Sequence, residues 1–186
     1  SGGNLVQIFA VSPLLVNSLI PGSVTVNASK DYNLGGGRLA GPMTLTKQGT
    51  GVLTLSAVNG NLPNYFDGPI IIEGGRVRPT YARALGTTVG GTIISSGGAL
   101  DVNGQDLGFE PISIAGAGPD GAGAIVNYGG GQNNALRVVT MTGDATVGGT
   151  GRFDIRNVGG NASLSTGGNA YKLTKKGLNQ FSLVGV

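Results

Sequence analysis

The chain has 186 residues, 37 of them glycine, and its 12 basic and 9 acidic side chains leave a net charge of only +3. That much glycine without a collagen period excludes an ordinary helical core, and an apolar fraction of 39% with so few charges excludes intrinsic disorder. Cysteine, histidine and tryptophan are absent, which removes disulfide frameworks, thiolate or imidazole metal sites and Ser-His or Cys-His nucleophile pairs. The mild charge predicts neither nucleic acid nor an anionic membrane surface as a partner.

The most apolar stretch is the first, residues 5–20. It has no basic leader, Pro13 sits inside it, and Asn17 and Ser18 interrupt it, so it predicts a buried strand and neither a signal peptide nor a membrane span. Residues 23–26 alternate as a strand, and Gly35, Gly36 and Gly37 break the chain before the run Met43 to Ser56. In that run two alternating segments flank a glycine turn, with Leu45, Leu53 and Leu55 on one face and Thr44, Thr46 and Thr54 on the other. The same unit returns near the C-terminus at one constant offset, with Leu173 in the place of Leu45, Gly177 in that of Gly49 and Phe181 in that of Leu53.

A shorter step lies inside this long one. Residues 69–77 and 92–102 superpose on their glycine pairs, Gly74-Gly75 on Gly97-Gly98. The step between them falls within the period of about 20 to 30 residues that marks one solenoid coil, which cannot bury its own apolar face and stacks on its neighbours. The expected core ladder is Ile71 over Ile94 and Val77 over Leu100, with strands about 4.8 Å apart and the glycine pairs at a corner. Further short strands follow at 112–114, 124–126, 136–142, 145–147 and 152–156; in the last, Phe153 and Ile155 oppose Arg152, Asp154 and Arg156, which read as cross-strand charge partners.

No helical segment and no linker divides the chain. The expected architecture is one all-β solenoid over residues 1–186, repeat-like at 43–107, with irregular coils at 108–171 and the start of a further repeat at 172–186. A chain that begins without Met and stops just inside a repeat predicts a segment of something longer. Neither end reads as a cap, so further coils or end-to-end stacking of copies are expected.

Residues 45–56, 68–77, Ala84-Leu85-Gly86 and 93–105 stand in an order and spacing that resembles the autotransporter-associated β-strand repeat: a "LTKxGxGxLTL" strand pair, a Gly-Gly strand pair, an "ALG" step and a "GGxLDLNG" strand. The resemblance implies a right-handed parallel β-helix in the secreted passenger region of a bacterial surface protein, with no catalytic residues and no cofactor. The insertion from Asn61 to Asp67 departs from the family pattern, and no membrane-embedded barrel lies in this sequence.

Candidate site residues are few. Arg76, Arg78, Tyr81 and Arg83 combine charge and an aromatic ring beside a corner, a chemistry suited to an acidic surface glycan; the same residues also fit a solvated face whose arginines cover neighbouring strands. The loop Gly116 to Gly123 carries one aspartate, Asp120, where a calcium roll repeats them, so no metal is expected. The nine acids are scattered rather than paired for glycoside cleavage. The expected function is a noncatalytic extracellular or cell-surface scaffold of a fibre or adhesin, whose partners are further coils or copies of itself. The alternative is a glycan-binding or polysaccharide-degrading β-helix.

Overall fold

The computed structural model describes residues 5–10, 18–56 and 63–186. Strands β1 (Leu5–Ala10) and β2 (Ser18–Leu19) lead into a first coil of β3 (Pro21–Asn27), β4 (Tyr32–Leu34) and β5 (Arg38–Gly41). The second coil is β6 (Thr44–Gln48), β7 (Val52–Leu55) and β8 (Tyr65–Phe66). The third holds β9 (Ile70–Ile72) and β10 (Gly75–Pro79), and the fourth β11 (Thr92–Ile94) and β12 (Gly98–Asp101). The fifth is β13 (Pro111–Gly116), β14 (Ile125–Asn127) and β15 (Gln132–Leu136). In the sixth, β16 (Val138–Gly149) bends round two sides before β17 (Phe153–Arg156) supplies the third; β18 (Ser163–Ser165), β19 (Leu173–Lys175) and β20 (Phe181–Val184) make the seventh.

Equivalent sides stack in parallel. The first side runs β3-β6-β9-β11-β13-β16, with β18 on β16; the second runs β4-β7-β10-β12-β14-β16, with β19 on β16; the third is built of β2-β5-β8 and β15-β17-β20. There is no helix among the described residues, and the all-β solenoid expected from the sequence is what forms. One feature departs from the expectation of bare ends. β1 lies antiparallel on β3, Leu5 opposite Asn27 and Ile8 opposite Val24, so this edge of the first side is paired. Residues 11–17 of the predicted N-terminal strand, and its burial over 5–10, lie outside what is described.

The core is a set of vertical rows. On the first side one row reads Val24, Leu45, Ile70, Thr92, Ile112, Val139, Leu164 and the next Val26, Lys47, Ile72, Ile94, Ile114, Met141. On the second side Leu53, Val77, Leu100, Ile125 and Val147 lie on one another. The chain takes a shorter path from Thr92 to Ile112 than from Ile112 to Val139, so coil length varies in the corners while the rows stay in register.

The expected pair Ile71 over Ile94 is corrected by one residue. Ile71 pairs with Ile93 and Ile72 with Ile94, while Gly75 on Gly98 and Val77 on Leu100 pair as expected. The cause is corner length: Glu73 and Gly74 separate Ile72 from Gly75, but Ser95, Ser96 and Gly97 separate Ile94 from Gly98. Gly97 therefore sits over Glu73, where a Cβ would come 2.8 Å from the Glu73 carbonyl oxygen. A slip of one reverses every side chain, which is why Ile72 and Ile94 are buried and Ile93 is 42% exposed.

Lys47 interrupts an aliphatic row yet is fully buried. Its stem fills the row, and its Nζ donates to the carbonyls of Gln48 at 2.5 Å, Gly49 at 3.0 Å and, one coil on, Gly74 at 3.2 Å. Burial pushes its pKa down to about 8 against the opposing pull of Asp31. The corner closes round this ammonium: Gly75 has a φ of +63°, and a Cβ there would lie 2.7 Å from Nζ and 2.4 Å from the Gly51 carbonyl oxygen.

The second copy of the motif repeats the device at a different corner. Leu45 to Lys47 lie on the first side, but Leu173 to Lys175 pair with Ala145 to Val147 on the second, a third of a coil further round. Lys175 Nζ again donates to the two carbonyls that follow it, those of Lys176 and Gly177. The long repeat from Leu45 to Leu173 is thus a repeat of a corner-building unit rather than of whole coils.

The corrected register yields an expected outcome. Ile72→Ala removes a fully buried side chain and is expected to cost about 3 kcal/mol in urea unfolding, whereas Ile71→Ala, on the outer face, costs under about 1 kcal/mol. The reverse order would restore the pairing of Ile71 with Ile94.

Candidate functional site

β10 alternates strictly, so Val77 enters the core while Arg76 and Arg78 stand outward on its two flanks. Each guanidinium already has partners. Arg76 contacts Asp120 at 2.6 Å and lies 5.1 Å from the centroid of the Tyr128 ring, tying the Gly116–Gly123 loop back onto the third coil. Burial works against the Asp120 charge, but the hydrogen bonds from the Ala122 N–H and Arg76 outweigh it and hold the carboxyl below its usual range. Arg78 Nε donates to Asp101 at 2.8 Å, and the fully buried Asp101 also accepts the N–H groups of Asn103 and Tyr128, each at 3.0 Å.

Tyr81 turns inward. It is 5% exposed and hydrogen-bonded to Asn64, and burial raises its pKa against that bond. Asn64 in turn accepts the Leu39 N–H at 2.9 Å and donates to the Ala84 carbonyl at 2.7 Å, so these residues tie together the third side of coils one to three. Arg83 points to solvent. Of the four candidate residues the structure places Arg76 and Arg78 on the outer sheet face, while the largely buried Tyr81 and the exposed Arg83 border one shallow depression with Thr80, Ala82 and Gln105.

Arg83 borders a different feature. A cleft of about 200 Å³ opens between residues 63–65, 82–88 and 107–110, lined by Tyr65, Arg83, Leu107 and Glu110 among others. Tyr65 is 48% exposed and held by Arg38, 5.5 Å from its ring centroid. Glu110 is 4% exposed, and its Oε1 accepts the Thr92 hydroxyl at 2.8 Å. Burial raises its carboxyl to a pKa of about 7 against that bond. Sequence reasoning singled out neither Tyr65 nor Glu110. The one available signal was Thr92, a polar residue at a row position otherwise held by aliphatic side chains, which calls for a buried partner.

The remaining acids are structural partners as well. Asp106 receives Arg137 through two bonds of 2.6 and 3.1 Å. Asp154 lies between Arg152 at 2.8 Å and Arg156 at 3.6 Å, so this charge pairing runs along one strand rather than across strands as expected. Gln48, Thr87 and the N–H groups of Val52 and Lys172 engage Glu73, Asp67, Asp31 and Asp144. Among the described residues no three acids gather as a metal-binding group.

Comparison with known proteins finds a likeness to an adhesin. The chain is 27% identical over 187 aligned residues to the Adhesin BmaC autotransporter of Brucella suis biovar 1 (strain 1330). The match takes in 98% of this chain but 5% of that protein, so the chain spans about a twentieth of the length of the relative it matches. No family model matches the chain, and no solved structure matches it. The likeness to an autotransporter adhesin and the parallel solenoid together bear out the resemblance to an autotransporter-type β-helix repeat.

Glu110 carries a checkable consequence. Its folded pKa of about 7 lies above the ordinary 4.5, so the folded state holds this proton more tightly than the unfolded state does. Its contribution to stability is full below about pH 4.5, is lost as the pH rises toward about 7, and amounts to about 3 kcal/mol. Urea unfolding across this range is expected to show that decline in the native chain and to lose it in Glu110→Gln.

Proposed function

We propose that this chain is a noncatalytic segment of a bacterial surface adhesin, a β-solenoid rod that stacks on further coils and holds its loops outward. The observation that carries the reading is the set of in-register rows running through the coils, with the lysine corner of Lys47 built again at Lys175. At Lys47 the ammonium reaches a third carbonyl on the following coil; Lys175 has the same two local acceptors and offers the same reach to a coil placed on it. Leu183, 48% exposed in the last coil, offers the row to be covered.

The likeness to an adhesin supports a place at the cell surface and a role in contact rather than turnover. So does the use of the acids. Each of the nine carboxyl groups has a hydrogen-bonding or ionic partner within the fold, which supports structural roles for them over paired roles in glycoside cleavage.

Electron microscopy of the surface polypeptide carrying this segment is expected to show a rod of constant width through it, and acidic or neutral polysaccharides incubated with the purified chain are expected to gain no new reducing ends. A globular body, or release of reducing ends, would contradict the proposal.

A further inference from the structure

Arg83 is unlike the other six arginines. Arg76, Arg78, Arg137, Arg152 and Arg156 lie against carboxylates, and Arg38 lies over the Tyr65 ring. Among the described residues the Arg83 guanidinium has neither an ion pair nor a hydrogen bond, and it stands at the edge of the cleft of about 200 Å³ described above. Exposed arginines are common, but this one faces a concavity with a built interior.

That interior contains three kinds of group. Glu110 is more than nine-tenths buried and, with only Oε1 bonded to protein, keeps Oε2 for another partner. Tyr65 exposes almost half of its surface while Arg38 fixes its orientation. Pro63, Leu85 and Leu107 give apolar walls. The volume lies below the range of pockets for drug-sized ligands and suits one ring-sized group.

We propose that this cleft binds the terminal residue of a carboxylated glycan, with the sugar carboxylate on Arg83, a ring hydroxyl on Glu110 and the C–H face of the ring against Tyr65. An arginine fork matches a carboxylate in geometry and charge. A carboxyl with one committed oxygen orients a hydroxyl without adding a second fixed counter-charge, since burial keeps Glu110 largely protonated below neutral pH. The aromatic body supplies contact with little loss of side-chain freedom. The site shares only Arg83 with the basic corner, because Arg76 and Arg78 are held by Asp120 and Asp101. It does not depend on the rod reading: a globular particle could carry it, and a rod could lack it.

The test is saturation-transfer NMR and calorimetric titration of the purified chain with the methyl glycosides of glucuronic acid and sialic acid, and with methyl glucoside as the uncharged control. Binding of at least one acidic sugar is expected, about tenfold or more tighter than the glucoside, the ratio one charge-assisted bond contributes. Arg83→Ala is expected to lower that affinity about tenfold or more, Tyr65→Ala to weaken it, and Arg76→Ala to leave it unchanged. No binding of either acidic sugar, equal binding of the neutral one, or binding that survives Arg83→Ala would overturn the proposal. Circular dichroism of each variant separates a lost site from a lost fold.

Discussion

A single three-sided coil cannot enclose its own apolar side chains, and vertical registry between coils is the constraint on which this molecule depends. Each inward residue is covered by the one a coil later, and parallel pairing locks that correspondence residue by residue. Everything variable has therefore been moved into the corners. An added residue at Gly97 and the loop from Gly116 to Gly123 both leave the rows intact because the strands on either side re-enter the same ladder.

Registry also decides what charged residues do here. With few of them and a narrow core, most serve as joints: Arg78 to Asp101 and Arg137 to Asp106 link positions on different coils. Both pairs are only partly exposed, and each holds a loop against a particular coil. Asp101 and Lys47 differ because both are fully buried, and each is surrounded by hydrogen-bonding groups that compensate for the loss of water. An arginine left outside such joints, Arg83, is correspondingly conspicuous.

Much of this was legible in the sequence, and the gaps have physical causes. Alternation placed Leu45, Leu53, Leu55, Val77, Phe153 and Ile155 inward, where they are. The Gly75 to Gly98 step gave the coil, since a corner glycine is imposed by backbone crowding. Register across a corner was not legible: aligned glycines conceal a one-residue difference in the turn, and that moved Ile94 from Ile71 to Ile72. The third side was read only in part, because strands such as Tyr65–Phe66 and Gln132–Leu136 are short, or polar and only partly buried, and show no clear period. The cleft was invisible because it joins Tyr65, Arg83 and Glu110 from three successive coils, and no local pattern records that proximity.

The pairing of Ile71 with Ile93 on the outer face tests registry most directly, because parallel partners lie about 4.8 Å apart, within disulfide range, and the chain has no cysteine of its own to interfere. Combining Ile71→Cys with Ile93→Cys and oxidising the folded protein is expected to give a rapid intramolecular cross-link, seen by mobility shift and intact mass, while Ile71→Cys with Ile94→Cys stays reduced because the second side chain points into the core. Cross-linking of the 71 and 94 pair, with none between 71 and 93, would contradict the account.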